Sequence, residues 1–331
     1  MIRAGCLPGL YRRPMAKSIK ATSAHMVRDF LLLFPGALGD FLCLWPALQA
    51  LRGRAAGHIA VVTQPAFADL LPLDDFVTIS IHRREVADLF ADGPLAESTR
   101  RLFGNVRRVH SWTGRGNPNF ARRIEAASGG TVSVHPSRGM RPGEHAAQYF
   151  ARCLEVEVGS PRLVPPTAAV GWAADFWSDH GLAERTLVVH PGSGSRAKNW
   201  VGMAEIAAAW RREMDGHVVL LRGPAEDGHN ADVSHDVLLR NASLARVAAV
   251  LQRACRYLGN DSGISHLAGL IGVPGVVVFG PTDPATWRPL GQALQILTAP
   301  NPCHACGPNQ FCTHRLPLAA VRDALIAQRV P

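Results

Sequence analysis

Short apolar runs alternate with helical patterns along the first half of the chain. Residues 30–34 (FLLLF) are uniformly apolar and are followed by Pro35 and Gly36, a pattern typical of a buried parallel strand. Apolar residues then recur at helical spacing over 40–52, so this region is predicted to form a strand, a glycine turn and a helix. Further strands are predicted at 58–63, 77–81 and 106–110.

The same alternation restarts after a proline-rich segment at 161–166 (PRLVPP). Glycine-rich loops follow the predicted strands at their carboxyl ends, which is where ligands bind in open α/β sheets. The pattern therefore predicts an α/β protein with two Rossmann-like domains that face a cleft. The predicted strands of this half are 186–190, 217–222, 256–259 and 275–279, and the predicted helices are 201–214, 243–253 and 262–272.

The domain boundaries follow from these patterns. Residues 1–28 contain six Lys or Arg and no acid but lack a continuous apolar segment, so we do not interpret them as a secretory signal. Met26 is an alternative start. The predicted division is a flexible basic leader (1–27), an N-terminal domain (28–160), a linker (161–166), a C-terminal domain (167–315) and a C-terminal helix (316–331).

The composition is that of a folded protein with a basic surface. Of the 331 residues, 47% are apolar and 18% are charged, which argues against a disordered chain. The formal net charge of +9 attracts polyanions. Nine arginines and a single acid, Glu125, fall within 100–141. This stretch is either a solvated basic face or a surface for an anionic acceptor, with Arg122 and Arg123 as the candidate contacts.

A carboxylate follows the first glycine turn. In the segment 35–40 (PGALGD), Asp40 stands where the helix is expected to begin. Asp is a preferred helix cap, so one interpretation is structural. The other is a general base held over the cleft, with Gly39 beside it as an acceptor contact.

The loop at 190–200 (HPGSGSRAKNW) has the composition of a phosphate site. Its small residues, Ser193, Gly194 and Ser195, let backbone N–H groups approach an anion, and Lys198 supplies positive charge. The spacing differs from that of a P-loop. An ordinary strand-to-helix turn with exposed basic residues is the alternative.

A second anion site is predicted at 259–268 (GNDSGISHLA). A helix is expected to open at Ser262 and Gly263, so its free N–H groups and its dipole favour a negative ligand. Asp261 can accept hydrogen bonds from sugar hydroxyls. His266 lies about one helical turn after Ser262 and shares its side, although a lone helical histidine is often structural.

Three segments together resemble glycosyltransferase family 9, the ADP-heptose:lipopolysaccharide heptosyltransferase family. These are 35–52 (PGALGDFLCLWPALQALR), 190–200 and 259–289, which ends in FGPTDPATWRP. The similarity extends over about 26–289 and is weak over 82–145. Here Asn-Asp-Ser-Gly stands where heptosyltransferases usually have Asp-Thr-Gly, so the donor sugar stays open.

The resemblance implies the GT-B fold and inverting, metal-independent sugar transfer. The N-terminal domain would bind the acceptor and the C-terminal domain a nucleotide sugar, ADP-heptose in the named family, with no further cofactor. An anionic glycolipid such as a lipopolysaccharide core is the implied acceptor. The residues that match the family motifs are Asp40 as the base, Lys198 and the Ser193–Ser195 loop at the diphosphate, and Asp261, Ser262, Gly263 and His266 at the donor.

Cysteines cluster near the end of the chain. Cys303, Cys306 and Cys312, with His314 nearby, could hold a structural zinc, or they could be free thiols in a loop. The other four cysteines are dispersed, which argues against a secreted disulfide framework.

Other functional classes remain as alternatives. A non-catalytic nucleotide-sugar-binding protein and a nucleotide-sugar epimerase could share this fold. A nucleic-acid-binding protein is suggested only by charge, because the sequence has no such motif and few aromatics accompany the arginines. No segment of about 20 uninterrupted apolar residues predicts a membrane span. The expected location is the cytoplasm, peripheral to the inner membrane surface.

Overall fold

The N-terminal half of the protein is a five-stranded parallel sheet with helices packed on it. The structure is a computed structural model that describes residues 28–160, 162–224, 233–301, 303 and 312–326. The helices are α1 (Leu38–Arg54), α2 (Arg84–Asp88), α3 (Glu97–Phe103), α4 (Pro118–Ser128) and α5 (Ala146–Cys153). The strands are β1 (Arg28–Leu33), β2 (His58–Thr63), β3 (Phe76–Ser80), β4 (Val106–Ser111) and β5 (Thr131–Val134), in the spatial order β3-β2-β1-β4-β5.

The C-terminal half repeats this architecture with six parallel strands. Its helices are α6 (Thr167–Asp179), α7 (Met203–Met214), α8 (Leu244–Arg253), α9 (Gly263–Ile271), α10 (Pro284–Trp287) and α11 (Leu318–Ile326). Its strands are β6 (Thr186–His190), β7 (His217–Arg222), β8 (Val237–Arg240), β9 (Arg256–Asn260), β10 (Gly275–Phe279) and β11 (Leu294–Thr298), in the order β11-β10-β9-β6-β7-β8.

The central strands are buried on both faces, which explains their continuous apolar sequences. Every residue of β6 and β9 is buried, and the last three residues of β1 are buried as well. Helices complete each layer: α1 packs on α5 in the N-terminal half, and α7 packs on α11 in the C-terminal half.

The order of strands fixes where a ligand can bind. The chain reverses its direction across the N-terminal sheet between β1 and β4, and across the C-terminal sheet between β6 and β9. Ligands in open α/β sheets bind outside the carboxyl ends of strands at such points. The segments that follow β1, β6 and β9 contain Asp40, Lys198 and Asp261, respectively.

The two halves contact each other through α1, α9 and the segment between the domains. Trp45 Nε1 and Gln49 Nε2, both on α1, donate to the carbonyl of Arg162 at 3.2 and 3.0 Å. The N–H of Leu163 donates to the carbonyl of Leu270 on α9 at 3.0 Å. The segment between the domains is therefore tied to a helix of each half.

The predicted α/β class with two parallel sheets is confirmed. Three strands, β5, β8 and β11, were not predicted from the sequence. Residues 1–27, Pro161 and 327–331 lie outside the described residues, so the predicted leader, one linker residue and the end of the predicted last helix do too. None of the helices in the described part of the chain has the length and apolar character needed to span a membrane.

Candidate functional site

A cleft of about 970 Å³ lies between the two halves, outside the carboxyl ends of the central strands. This volume is at the upper end of the range for small-molecule sites. The N-terminal half contributes Leu38, Gly39, Asp40, Phe67 and Arg138 to its wall. The larger share comes from the C-terminal half, including the loops after β6 and β9.

Asp40 lies in the first turn of α1 and faces the cleft. Its Oδ2 accepts a weak hydrogen bond from the N–H of Ala37 at 3.3 Å, and Ala37, not Asp40, is the N-cap residue. Burial raises the pKa of Asp40, and the N–H of Ala37 and the charges of Arg138 and Lys198 partly oppose that shift. A carboxyl with a raised pKa accepts a proton more readily at neutral pH.

Two glycines let the first turns of α1 and α9 touch at the floor of the cleft. A Cβ atom at Gly263 would lie 2.8 Å from Leu38 Cβ, and one at Gly39 would lie 3.2 Å from His266 Cδ2. The N-termini of α1 and α9 therefore meet at the same cleft, where their free N–H groups and dipoles favour an anion.

Lys198 and Asp261 form an ion pair across the donor side of the cleft. Lys198 Nζ lies 2.7 Å from Asp261 Oδ2, and Asp261 is only 5% exposed. Lys198 also acts on Asp40 electrostatically. The pair holds the ammonium group at the position where β6 and β9 end.

The serine loop is held by its own hydrogen bonds. Ser193 Oγ lies 2.6 Å from both the carbonyl of Ser195 and Oδ1 of Asn199. Asn260 fixes the base of the same loop, because its Oδ1 accepts from the N–H of Trp200 at 3.1 Å and its Nδ2 donates to the carbonyl of Pro191 at 2.7 Å. These hydrogen bonds fix the conformation of the loop.

His266 is buried beside Cys43 at the contact between α1 and α9. Burial lowers the pKa of His266 to about 4 and raises the pKa of the Cys43 thiol. The thiol therefore keeps its proton, and its Sγ lies 3.6 Å from His266 Nδ1; the tautomer of the ring determines which of the two atoms donates. A neutral ring that accepts this hydrogen bond at Nδ1 carries its proton on Nε2, so it offers a hydrogen bond rather than a positive charge.

Comparison with known proteins matches the C-terminal half to a described family. Residues 165–313 match the family model of "Glycosyltransferase family 9 (heptosyltransferase)". This part of the chain is therefore similar to glycosyltransferase family 9. The family resemblance inferred from the sequence motifs is confirmed over this region. The match includes the loops that contain Lys198 and Asp261 and extends to the cysteine cluster near the chain end.

One curated relative has a similar stretch. It is lipopolysaccharide heptosyltransferase 1 of Pseudomonas aeruginosa, 33% identical over 144 residues. The aligned region covers 44% of this chain and 34% of that protein, so it spans about a third of the relative's length.

Solved structures with similar folds cover both halves of the chain. The glycosyl transferase family 9 protein of Veillonella parvula has a TM-score of 0.72 at 18% identity, covering 90% of this chain and 96% of that chain. The E. coli heptosyltransferase WaaC with ADP has a TM-score of 0.62 at 18% identity, covering 89% and 98%. The predicted fold of two facing Rossmann-like domains is confirmed by this similarity.

The C-terminal half brings the predicted donor residues together in one cleft. All eight of them line its wall: Ser193, Gly194, Ser195, Lys198, Asp261, Ser262, Gly263 and His266. Asp40 and Gly39 line it from the other half. The roles assigned to these residues stay predictions, which the experiments below address.

The structure does not bring Arg122 and Arg123 to the cleft. Both lie on α4, and Arg123 is 5% exposed, with its guanidinium bonded to Asp88 Oδ1 at 2.7 Å and to the carbonyls of Asp88 and Gly93. Arg122 bonds Asn119 of its own helix. Arg123 thus ties α4 to the segment 88–93, so we no longer assign the two arginines to the acceptor.

Several wall residues were not found from the sequence. Arg138 belongs to the arginine-rich stretch, but its charge gave no sign of which face it occupies. Trp287 follows the FGPTDP segment, but the sequence resemblance assigns no role to this residue. Four apolar side chains of the C-terminal half also line the cleft: Leu221, Leu239, Leu244 and Val247.

The cysteine cluster lies outside the cleft wall. A thiol of Cys303, a thiol of Cys312 and a ring nitrogen of His314 lie within 4.8 Å of one another. Cys306, the third predicted ligand, falls outside the described residues.

Proposed function

We propose that the protein is an inverting glycosyltransferase that moves heptose from ADP-heptose onto a hydroxyl of an anionic glycan. The observation that carries the proposal is the cleft itself. Asp40 faces it from one half, and Lys198 and the N-terminus of α9 face it from the other. A proton acceptor and a diphosphate site on opposite walls suit a single displacement between two substrates.

The donor is inferred from both chemistry and similarity. The N-termini of two helices and Lys198 provide positive potential for a diphosphate, and the apolar residues near Leu244 provide a surface for a nucleobase. E. coli WaaC, a protein of similar fold, has been solved with ADP and with ADP-2-deoxy-2-fluoro heptose. We therefore propose ADP-heptose as the donor.

The proposed reaction needs one base and one stabilised leaving group. The acceptor oxygen attacks the anomeric carbon as Asp40 takes its proton, and the bond from that carbon to the diphosphate oxygen breaks on the opposite face. ADP then leaves with the bonding electron pair. Lys198, the α9 N-terminus and the Nε2–H of His266 stabilise the negative charge that develops on the diphosphate.

Arg138 is the proposed contact for the anionic group of the acceptor. It is an exposed arginine on the acceptor side of the cleft, and its charge acts on Asp40. The loop that contains it is braced, because Tyr149 donates to the carbonyl of Pro136 and Arg152 donates to that of Gly139. A carboxylate or phosphate of the acceptor bound there would place a neighbouring hydroxyl near Asp40.

The proposed transfer does not use a divalent ion at the diphosphate. Two carboxylates, Asp40 and Asp261, line the described part of the cleft, and Asp261 is already paired with Lys198. Mg²⁺ at a phosphate typically requires one or two available carboxylates. We also propose that an anionic glycolipid presents the acceptor at the inner membrane surface, where the net positive charge would favour binding.

The direct test is release of ADP from ADP-heptose in the presence of lipopolysaccharide that lacks heptose. We expect acceptor-dependent ADP release and an inverted anomeric configuration of the product by NMR. ADP-heptose binding with no sugar product would favour a binding protein, and an altered free nucleotide sugar would favour an epimerase. Turnover should survive brief EDTA treatment, and a loss that Mg²⁺ alone restores would contradict the metal-independent step.

A further inference from the structure

Three potential metal ligands lie close together in the C-terminal half, outside the cleft wall. The Cys303 and Cys312 thiols and the His314 imidazole lie within 4.8 Å of one another. Cys303 is 4% exposed and Cys312 is 9% exposed, whereas His314 is at the surface. We propose that these side chains bind a thiophilic divalent cation, zinc, in a structural site that supports the donor loop.

The donor set selects the metal. Thiolate and imidazole are the ligands of structural zinc, whereas Mg²⁺ and Ca²⁺ prefer oxygen. With Zn–S bonds of about 2.3 Å, two thiolates on a tetrahedral ion lie about 3.8 Å apart. The separations in the cluster are close enough that small side-chain movements produce this geometry. The charge of the ion would also compensate two thiolates in a buried position.

Hydrogen bonds connect the cysteine cluster to the serine loop at 190–200, which contains Lys198. Cys312 directly precedes the single 3₁₀ turn Thr313–Arg315. Thr313 Oγ1 donates to the carbonyl of Asn199 at 3.2 Å, and Trp200 Nε1 donates to the carbonyl of Leu316 at 3.2 Å. Asn199 follows Lys198, and its side chain lies 2.6 Å from Ser193 Oγ.

A bound metal would thus fix the 3₁₀ turn Thr313–Arg315. This turn in turn supports the loop that contains Lys198. Loss of the metal should weaken donor binding without removing any group that touches the donor.

The experiment measures metal in the full-length protein, purified under reducing conditions without chelators. We expect about one zinc per chain by mass spectrometry after gel filtration. Cys312→Ser and Cys303→Ser should lose it. Cys255→Ser, which alters a half-buried cysteine elsewhere in the same domain, should retain it.

Three further measurements remain informative if a cysteine variant fails to fold. His314→Gln changes an exposed side chain and should lower metal affinity in a folded protein. Cobalt added to the dialysed, reduced wild type should give a thiolate-to-cobalt charge-transfer band. Removal of zinc by a strong chelator should lower the melting temperature and weaken ADP binding several-fold, with recovery on adding zinc.

Several results would overturn the proposal. These are reduced protein that binds neither zinc nor cobalt, metal content unchanged in Cys312→Ser, or a Cys303–Cys312 disulfide in the protein as isolated. None depends on transferase activity, so failure of the metal site and failure of the proposed function can be distinguished.

Discussion

Replacement of Asp40 by asparagine tests the proposed base most directly. Asn keeps the size of the side chain and an oxygen that can accept from the N–H of Ala37, which Asp40 contacts at 3.3 Å. It removes the negative charge and the ability to take a proton. A positioned base typically contributes 10²–10⁴ in rate, so we expect kcat to fall at least about a hundredfold. This corresponds to about 2.7 kcal/mol or more in the activation barrier.

The stability of Asp40→Asn should not fall with its activity. Burial raises the pKa of Asp40, so the folded protein holds this proton more tightly than the unfolded chain does. Ionisation of Asp40 therefore lowers stability as pH rises from the unfolded pKa to the folded pKa. Asn removes that effect, and the melting temperature at pH 7 should be unchanged or higher.

The assay combines initial rates of ADP release with calorimetric binding of ADP. Binding of ADP to Asp40→Asn should be unchanged or slightly tighter, because a negative charge beside the diphosphate is removed. In the wild type, kcat should fall at acidic pH as Asp40 becomes protonated, at a pH above that of an ordinary carboxyl. Near-normal kcat in Asp40→Asn would refute Asp40 as the base, and a fall in both melting temperature and kcat would indicate a structural role.

Three further predictions concern the other walls of the cleft. Lys198→Ala should weaken ADP binding in calorimetry as well as slow transfer, because the charge acts on the bound diphosphate and its loss leaves the buried Asp261 unpaired. Gly39→Ala should lower both melting temperature and kcat, because its Cβ would lie 3.2 Å from His266; unchanged values would show that the helices can separate without consequence. Arg138→Ala should raise the acceptor KM and shift the acidic limb of the rate profile to higher pH, since Arg138 lowers the pKa of Asp40, whereas Arg122→Ala should do neither.

The central strands were predictable because burial on both faces requires uniformly apolar sequence. The strands that were missed, β5, β8 and β11, all lie at edges of the sheets. Their residues are mostly half-buried or exposed, so their sequences carry no apolar run longer than three residues. Pairing with a neighbouring strand, rather than local pattern, makes these segments extended.

Some residues of the candidate site were predictable from the sequence and others were not. Loops at the carboxyl ends of strands were predictable because their position follows from the α/β alternation. Arg138 and the Cys43 thiol were not predictable, since each reaches the site through tertiary packing. The excess of arginines in 100–141 does not indicate which of them face the cleft. Arg123 forms an internal ion pair with Asp88 instead.

The tie between α1 and the segment joining the domains has a mechanical consequence. Gln49 and Trp45 anchor α1 to Arg162, and Gly39, at the other end of the helix, touches α9. Any rocking of one half against the other turns about this line of contact, so Asp40 lies close to the pivot. We therefore expect that a widening of the cleft for the proposed glycolipid acceptor would leave Asp40 almost stationary.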